Sequence, residues 1–175
     1  MNANVPVYRA DPCCAICSAT CCQRLSGEAA PEDMLRFGST VEEGLVIALG
    51  TGQWCIDWWE GDPRDDVPEE QSVGCGYYVR PRVLSDKPGT FNGSWGGTCI
   101  FWDSKGCKLP FEQRPLGCRA LKPDPDNPGV GCSVGDNWSK QLAAIIWEPY
   151  WDFISRLKHT RRKVMALRQQ EEPAG

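Results

Sequence analysis

The chain has 175 residues, 41% of them hydrophobic, with eleven Cys, eight Trp, four Tyr and five Phe, which suits one domain with its own core and excludes a mini-protein stapled by disulfides for want of apolar residues. Net charge is -4, but residues 1–150 hold 13 Lys and Arg against 20 Asp and Glu, whereas residues 151–175 hold 6 against 3. An acidic body with a basic end speaks against wrapping nucleic acid, because phosphates are bound chiefly by Lys and Arg.

Residues 1–11 show neither the basic start nor the apolar run of a secretory signal, and no later stretch is apolar for long enough to span a bilayer. A cytoplasmic protein with no membrane attachment is expected. Cys13, Cys14, Cys17, Cys21 and Cys22 then crowd into the segment Asp11–Cys22. Thiols this dense oxidise, or repel as thiolates, unless a cation or a bond satisfies them. A reducing compartment disfavours disulfides and an odd number of cysteines cannot all pair, so metal ligation is the favoured chemistry.

Glu28–Gly38 predicts a short helix, with Pro31 in its first turn, acids at its positive end and Gly38 as its stop; Met34, Leu35 and Phe37 should face the core. Ser39 with Glu42 and Thr40 with Glu43 both have capping-box spacing, opening a helix through Leu45, Val46 and Leu49 to Gly50. Gln53–Trp59 and Cys75–Arg80 read as strands, separated by a turn at Glu60–Pro63 and by a solvated acidic loop over Asp62–Glu70. Ser85–Gly97 is an irregular loop. Thr98–Trp102 has the apolar run of a short buried strand, Asp103–Gly106 makes a turn and Pro110–Arg114 one helical turn. Three prolines in Pro123–Gly129 deny both helix and ladder. Asp136 or Asn137 should cap a C-terminal helix in which Trp138, Leu142, Ile145 and Ile146 recur at helical spacing. The same face continues through Phe153, Ile154 and Leu157, with Pro149 kinking or dividing it, and Lys158, His159, Arg161, Arg162, Lys163 and Arg168 end the chain in a basic, fraying tail.

The chemistry lies in the cysteines. Cys14 and Cys17 have the Cys-x-x-Cys spacing by which two thiolates on one turn reach one ion. Side chains of adjacent residues diverge, so Cys21 and Cys22 can serve different roles. Downstream, Cys99, Cys107, Cys118 and Cys132 each stand near turn-forming residues, where backbone N–H groups can be aimed at sulfur. No acid–base pair, phosphate loop or nucleophile elbow accompanies them. The single histidine, His159, sits in the basic tail, which leaves an all-thiolate site of the kind that takes Zn(II) or an iron–sulfur cluster. An iron–sulfur cluster is favoured over zinc, because the thiols lie among Trp and Phe residues that would exclude water.

Over Cys99, Phe101, Cys107, Arg114-Pro115, Cys118 and Arg119 the sequence resembles the YkgJ-like cysteine-cluster family, described as a zinc- or iron-chelating domain. That family pairs an N-terminal Cys-x-x-Cys-x-x-Cys-Cys with a later Cys, an aromatic pair, a turn, a Cys and Arg-Pro-x-x-Cys-Arg. The resemblance spans about residues 13–38 and 98–123, and it departs by one residue where three residues separate Cys17 from Cys21. Together with thiol density, it implies metal ligation by Cys14, Cys17, Cys21, Cys22, Cys99, Cys107, Cys118 and Cys132. Arg114 and Arg119 have two readings: guanidinium groups that stabilise a negatively charged cluster, or partners of carboxylates such as Glu112 and of loop carbonyls. The family's best-known relative is a flagellin lysine methylase, so a redox or protein-modifying role goes with the resemblance.

The expected fold is a small irregular α+β domain over residues 1–157, with short strands knit around the metal and C-terminal helices packed on one side, followed by the tail at 158–175. The alternative is an interaction module in which zinc only staples the fold and the basic C-terminal helix binds a protein partner.

Overall fold

The computed structural model describes residues 19–87, 89–94, 96–104, 106–123, 132–133 and 138–160. Helix and strand are mixed, with short strands, as an α+β chain requires. The strands Trp54–Glu60 (β1) and Cys75–Pro81 (β2) pair antiparallel, with Trp54 opposite Pro81, Asp57 opposite Tyr78 and Glu60 opposite Cys75. A two-stranded hairpin is marginal by itself and leaves both edges open. Here both edges are covered. Ala29 N–H donates to Val79 O (2.8 Å) along β2, while Ile56 N–H donates to Thr90 O (2.7 Å) and Ile56 O accepts from Asn92 N–H (2.9 Å) along β1.

The helices bury the hairpin. The short α-helix Thr20–Arg24 (α1) leads to a 3-10 helix at Pro31–Arg36 and then to Val41–Gly50 (α2). Thr40 caps α2 by accepting from Glu43 N–H at 3.2 Å, while the Glu43 carboxylate reaches back to Ser39 N–H at 2.7 Å. Gly44 is required for close approach, since a Cβ there would stand 2.1 Å from Met34 O. After the two-stranded ribbon Trp102–Asp103 (β3) with Gly106–Cys107 (β4), the chain forms one short helix at Leu116–Arg119 (α3). The ladder Lys122–Pro123 (β5) with Cys132–Ser133 (β6) follows.

The C-terminal helix is divided as Pro149 demands: Lys140–Ile146 (α4), a 3-10 turn at Glu148–Tyr150, then helix over residues 151–160. Two indoles pin it to the sheet region, with Trp147 Nε1 donating to Ala29 O (2.7 Å) and Trp151 Nε1 to Tyr77 O (3.0 Å). Lys158 closes the far end, its ammonium 5.7, 5.3 and 5.8 Å from the ring centres of Trp58, Tyr77 and Phe91. Among the described residues no helix is long and apolar enough to cross a membrane.

Several expectations need correction. Leu35 is exposed (48%), because a 3-10 helix repeats every three residues and places Met34 beneath Pro31 on the buried side. Thr98–Trp102 is not a strand: Cys99 forms a single bridge to Val83, and the chain folds back at once through Trp102 N–H to Cys99 O (2.9 Å). Pro123 does enter a ladder, opposite Cys132, in a two-stranded ribbon where one missing N–H is tolerated. Asp62 is no solvated acid, since Arg64 and the Val73 N–H (2.9 Å) hold its carboxylate. Asp136 and Asn137 lie outside the described residues; Ser139 caps α4, accepting from Leu142 N–H at 3.0 Å. The buried residues of this region are Trp138, Ala143, Ala144, Trp147, Trp151 and Ile154, while Leu142, Ile145 and Ile146 are half-buried.

An ion-paired group lies inside the fold. Arg80 on β2 is 2% exposed and donates from Nε to Asp57 (2.6 Å), from Nη1 to Asp86 (2.9 Å) and from Nη2 to Asn92 O (2.9 Å). Cys55, opposite Arg80 in the ladder, lies 3.8 Å from Asp86 Oδ2, and burial pushes its thiol up to about 12. It is a core thiol.

Candidate metal centre

Cys22 and the segment that carries Cys99 meet at the C-terminal end of α1. Cys99 N–H donates to Cys22 O (2.8 Å), Gly97 N–H to Arg24 O (2.7 Å) and Thr98 Oγ1 to Gln23 O (3.3 Å), so residues 97–99 dock along that end. Cys118 arrives from α3. A Cβ added to Gly27 would lie 2.6 Å from Cys118 Sγ and 2.7 Å from its N, so only glycine lets the two segments close. Cys107 sits on β4, opposite Trp102. Cys99 belongs to the hydrophobic core, and Cys22 and Cys107 pack against it beside Phe101, Trp102 and Trp138.

These thiols feel one another. The hydrogen bond between neighbouring thiols holds Cys21 down to about 6, with the positive charge of Arg114 acting in the same direction. The same bond pushes Cys22 up, and burial together with Cys118 and Cys99 adds to that. Burial pushes Cys99 up to about 11, with Cys107 contributing, while the backbone N–H groups of Phe101 and Trp102 favour its thiolate. Burial likewise holds Cys118 well above the ordinary thiol value, reinforced by Cys99 and Cys107 and opposed by the Gly27 N–H. Cys107 Sγ accepts from Leu109 N–H at 3.4 Å. Three sulfurs on separate segments are thus served by backbone donors, the polar environment that thiolate ligands need in an otherwise apolar wall.

The arginines are tied to the backbone around this cluster. Arg114, 7% exposed, donates from Nε to Leu109 O at 3.2 Å, and Arg119 donates to Glu112 O at 3.0 Å. Loop carbonyls thus accept from both arginines, and Arg114 also acts on Cys21 through its charge. Of the other predicted residues, Cys132 stands in β6 opposite Pro123, while Cys13, Cys14 and Cys17 lie outside the described residues, as do Arg161, Arg162, Lys163 and Arg168. His159 is exposed, its Nδ1 2.8 Å from Ser155 O. Among the described residues no three His, Cys, Asp or Glu side chains form a group that could hold an ion as they are placed.

Two acids that sequence reasoning missed position the downstream thiols. Asp33 Oδ2 accepts from Ala30 N–H (3.0 Å) and Leu116 N–H (2.8 Å), while Oδ1 accepts from Arg119 Nη2 (2.9 Å). One carboxylate thereby fixes the first residue of α3 and the arginine that follows Cys118. Glu28 accepts from Trp138 Nε1 at 3.0 Å, and its carbonyl accepts from Gly117 N–H at 2.9 Å. No local signal reveals partners this distant, although Asp33 at the third position of a Pro-initiated helix hints at capping.

Asp33→Asn should cost about 2–3 kcal/mol, because it removes the charge from a buried acceptor of three bonds and weakens the hold on Arg119. Urea unfolding would measure the loss, and a thiol reagent should modify Cys118 faster in the variant. Unchanged values on both would remove Asp33 from this role. Compared with family models, with curated proteins and with solved structures, the chain matches none.

Proposed function

We propose that this chain is a metal-binding protein of the YkgJ-like type, in which Cys22, Cys99, Cys107 and Cys118 hold a thiolate-ligated centre. Cys21 and the N-terminal Cys14 and Cys17 complete it or form a second site, with Cys132 as a further candidate. The observation that carries the reading is that the segments bearing these cysteines adjoin, Cys99 N–H donating to Cys22 O and Gly27 closing on Cys118, with backbone N–H groups serving Cys99, Cys107 and Cys118.

The donor set fits a soft ion. Thiolates select zinc or iron–sulfur clusters, and the aromatic surroundings favour the cluster. Bound there, an iron–sulfur cluster would supply one-electron chemistry, whereas zinc would supply a structural clamp. Arg114, close enough to stabilise Cys21 as a thiolate, would offset the negative charge that several thiolates bring.

Purification under anaerobic conditions, followed by visible absorbance and metal analysis, tests the proposal. Iron with sulfide-type absorbance is expected, and zinc in a colourless protein would keep the site while changing its occupant. A protein that contains neither, and that takes up neither on reconstitution, would overturn it.

A further inference from the structure

Among the described residues three buried side-chain atoms have no hydrogen-bond partner: Ser26 Oγ, Trp102 Nε1 and Arg82 Nε. Arg82 spends its other nitrogens on Gly52 O (2.9 Å) and Asp86 O (3.2 Å). The other two atoms belong to residues beside the thiols. Trp102 stands opposite Cys107 in the β3–β4 ladder, and directly opposite residues of an antiparallel pair put their side chains on one face. Its backbone N–H closes the Cys99 turn by donating to Cys99 O (2.9 Å). Ser26, 4% exposed, immediately precedes Gly27, where a Cβ would stand 2.6 Å from Cys118 Sγ and whose N–H serves that sulfur.

Two unmatched donors next to Cys107 and Cys118 call for an acceptor. An indole N–H can only donate, and folded proteins nearly always match a buried donor. The backbone already serves the sulfurs, through Leu109 N–H on Cys107 (3.4 Å), Phe101 and Trp102 N–H on Cys99, and Gly27 N–H on Cys118. A zinc ion brings no acceptor of its own. An iron–sulfur cluster brings sulfide atoms, which accept from N–H and O–H groups.

We propose that Trp102 Nε1–H and the Ser26 hydroxyl donate hydrogen bonds to the sulfur of an iron–sulfur cluster held by this thiol set, and so raise its reduction potential. The inference rests on the metal-binding reading and deepens it, by naming the occupant and two residues that tune it. A donor on sulfur stabilises the reduced, more negative form more than the oxidised one. Neither residue is among the proposed ligands, so each acts only through the hydrogen bond.

The test uses the full chain, purified anaerobically and reconstituted with ferrous iron and sulfide or with zinc alone. The wild type should take up iron with acid-labile sulfide. Trp102→Phe keeps an aromatic ring and removes the N–H, so iron and sulfide should stay. Redox titration should find its reduction equilibrium displaced about tenfold toward the oxidised form, about 59 mV for one electron. Ser26→Ala should displace it about threefold or more in the same direction, and keeps the test intact should Trp102→Phe lose the cluster. Direction separates a lost donor from loosened packing, because water admitted beside the cluster would favour the reduced form. Potentials unchanged in both variants, or displaced the other way, would overturn the inference and leave the metal reading standing. Uptake of zinc without iron and sulfide would do the same, whereas uptake of neither metal would remove both.

Discussion

Arg80→Met should destabilise the protein by about 3–5 kcal/mol, a large share of the stability of a domain this size. The physical reason is what the substitution leaves behind. Arg80 neutralises Asp57 and Asp86, whose side chains are each 3% exposed, and it also donates to Pro81 O (3.1 Å) and Asn92 O (2.9 Å). Methionine fills most of the volume but supplies neither charge nor donors, so two carboxylates and two carbonyls lose their partner in a medium that solvates them poorly. Removing the charges together should recover much of the loss. In Arg80→Met with Asp57→Asn and Asp86→Asn no unpaired ion remains, although the backbone acceptors still lack the guanidinium. Equilibrium urea unfolding of the single and triple variants measures both effects. A single-variant loss below about 1 kcal/mol would show that water or rearrangement already serves these carboxylates.

The same triad shows where reading the sequence stops. β1, β2, α2 and the divided C-terminal helix follow from local signals: aromatic runs between turns, Thr40 with Glu43, and Pro149 inside an apolar helical pattern. Arg80, Asp57 and Asp86 carry no such signal, since each is a charged residue that ordinarily faces water. Their burial depends on a ladder that sets Asp57 and Tyr78 opposite each other and on a loop that brings Asp86 and Asn92 back to it. Asp33 is illegible for the same reason, with Leu116 and Arg119 supplied from far along the chain. The thiols were more legible. Turn residues around Cys99, Cys107 and Cys118 marked places where backbone N–H groups meet sulfur, and the fold supplies those donors at all three. Cys55 lies in a strand pattern that leaves its role open, and only the fold shows it to be a core thiol.

Cys118→Ser should abolish stable metal binding, whereas Cys55→Ser should leave metal content unchanged. The contrast separates a ligand from a buried thiol. Burial pushes both thiols up, but Cys118 feels the charges of Cys99 and Cys107 and the Gly27 N–H, while Cys55 lies beside Asp86 and feels Arg80. A serine oxygen is a hard donor with a far higher pKa than a thiol, so it replaces a thiolate poorly toward zinc or iron. In the proposed four-thiolate centre, loss of one ligand should therefore prevent retention of metal on purification, and because bound metal would contribute folding free energy, Tm should fall by several degrees or more. The wild-type protein should show the same fall when a chelator strips it. Loading must also displace protons from the thiols it captures, so apparent affinity should rise about tenfold per pH unit for each proton released. Metal content, thermal unfolding and the pH dependence of loading test three consequences of one assignment. A Cys118→Ser protein that keeps its metal, or a stripped protein with an unchanged Tm, would remove Cys118 from the ligand set or the metal from the fold.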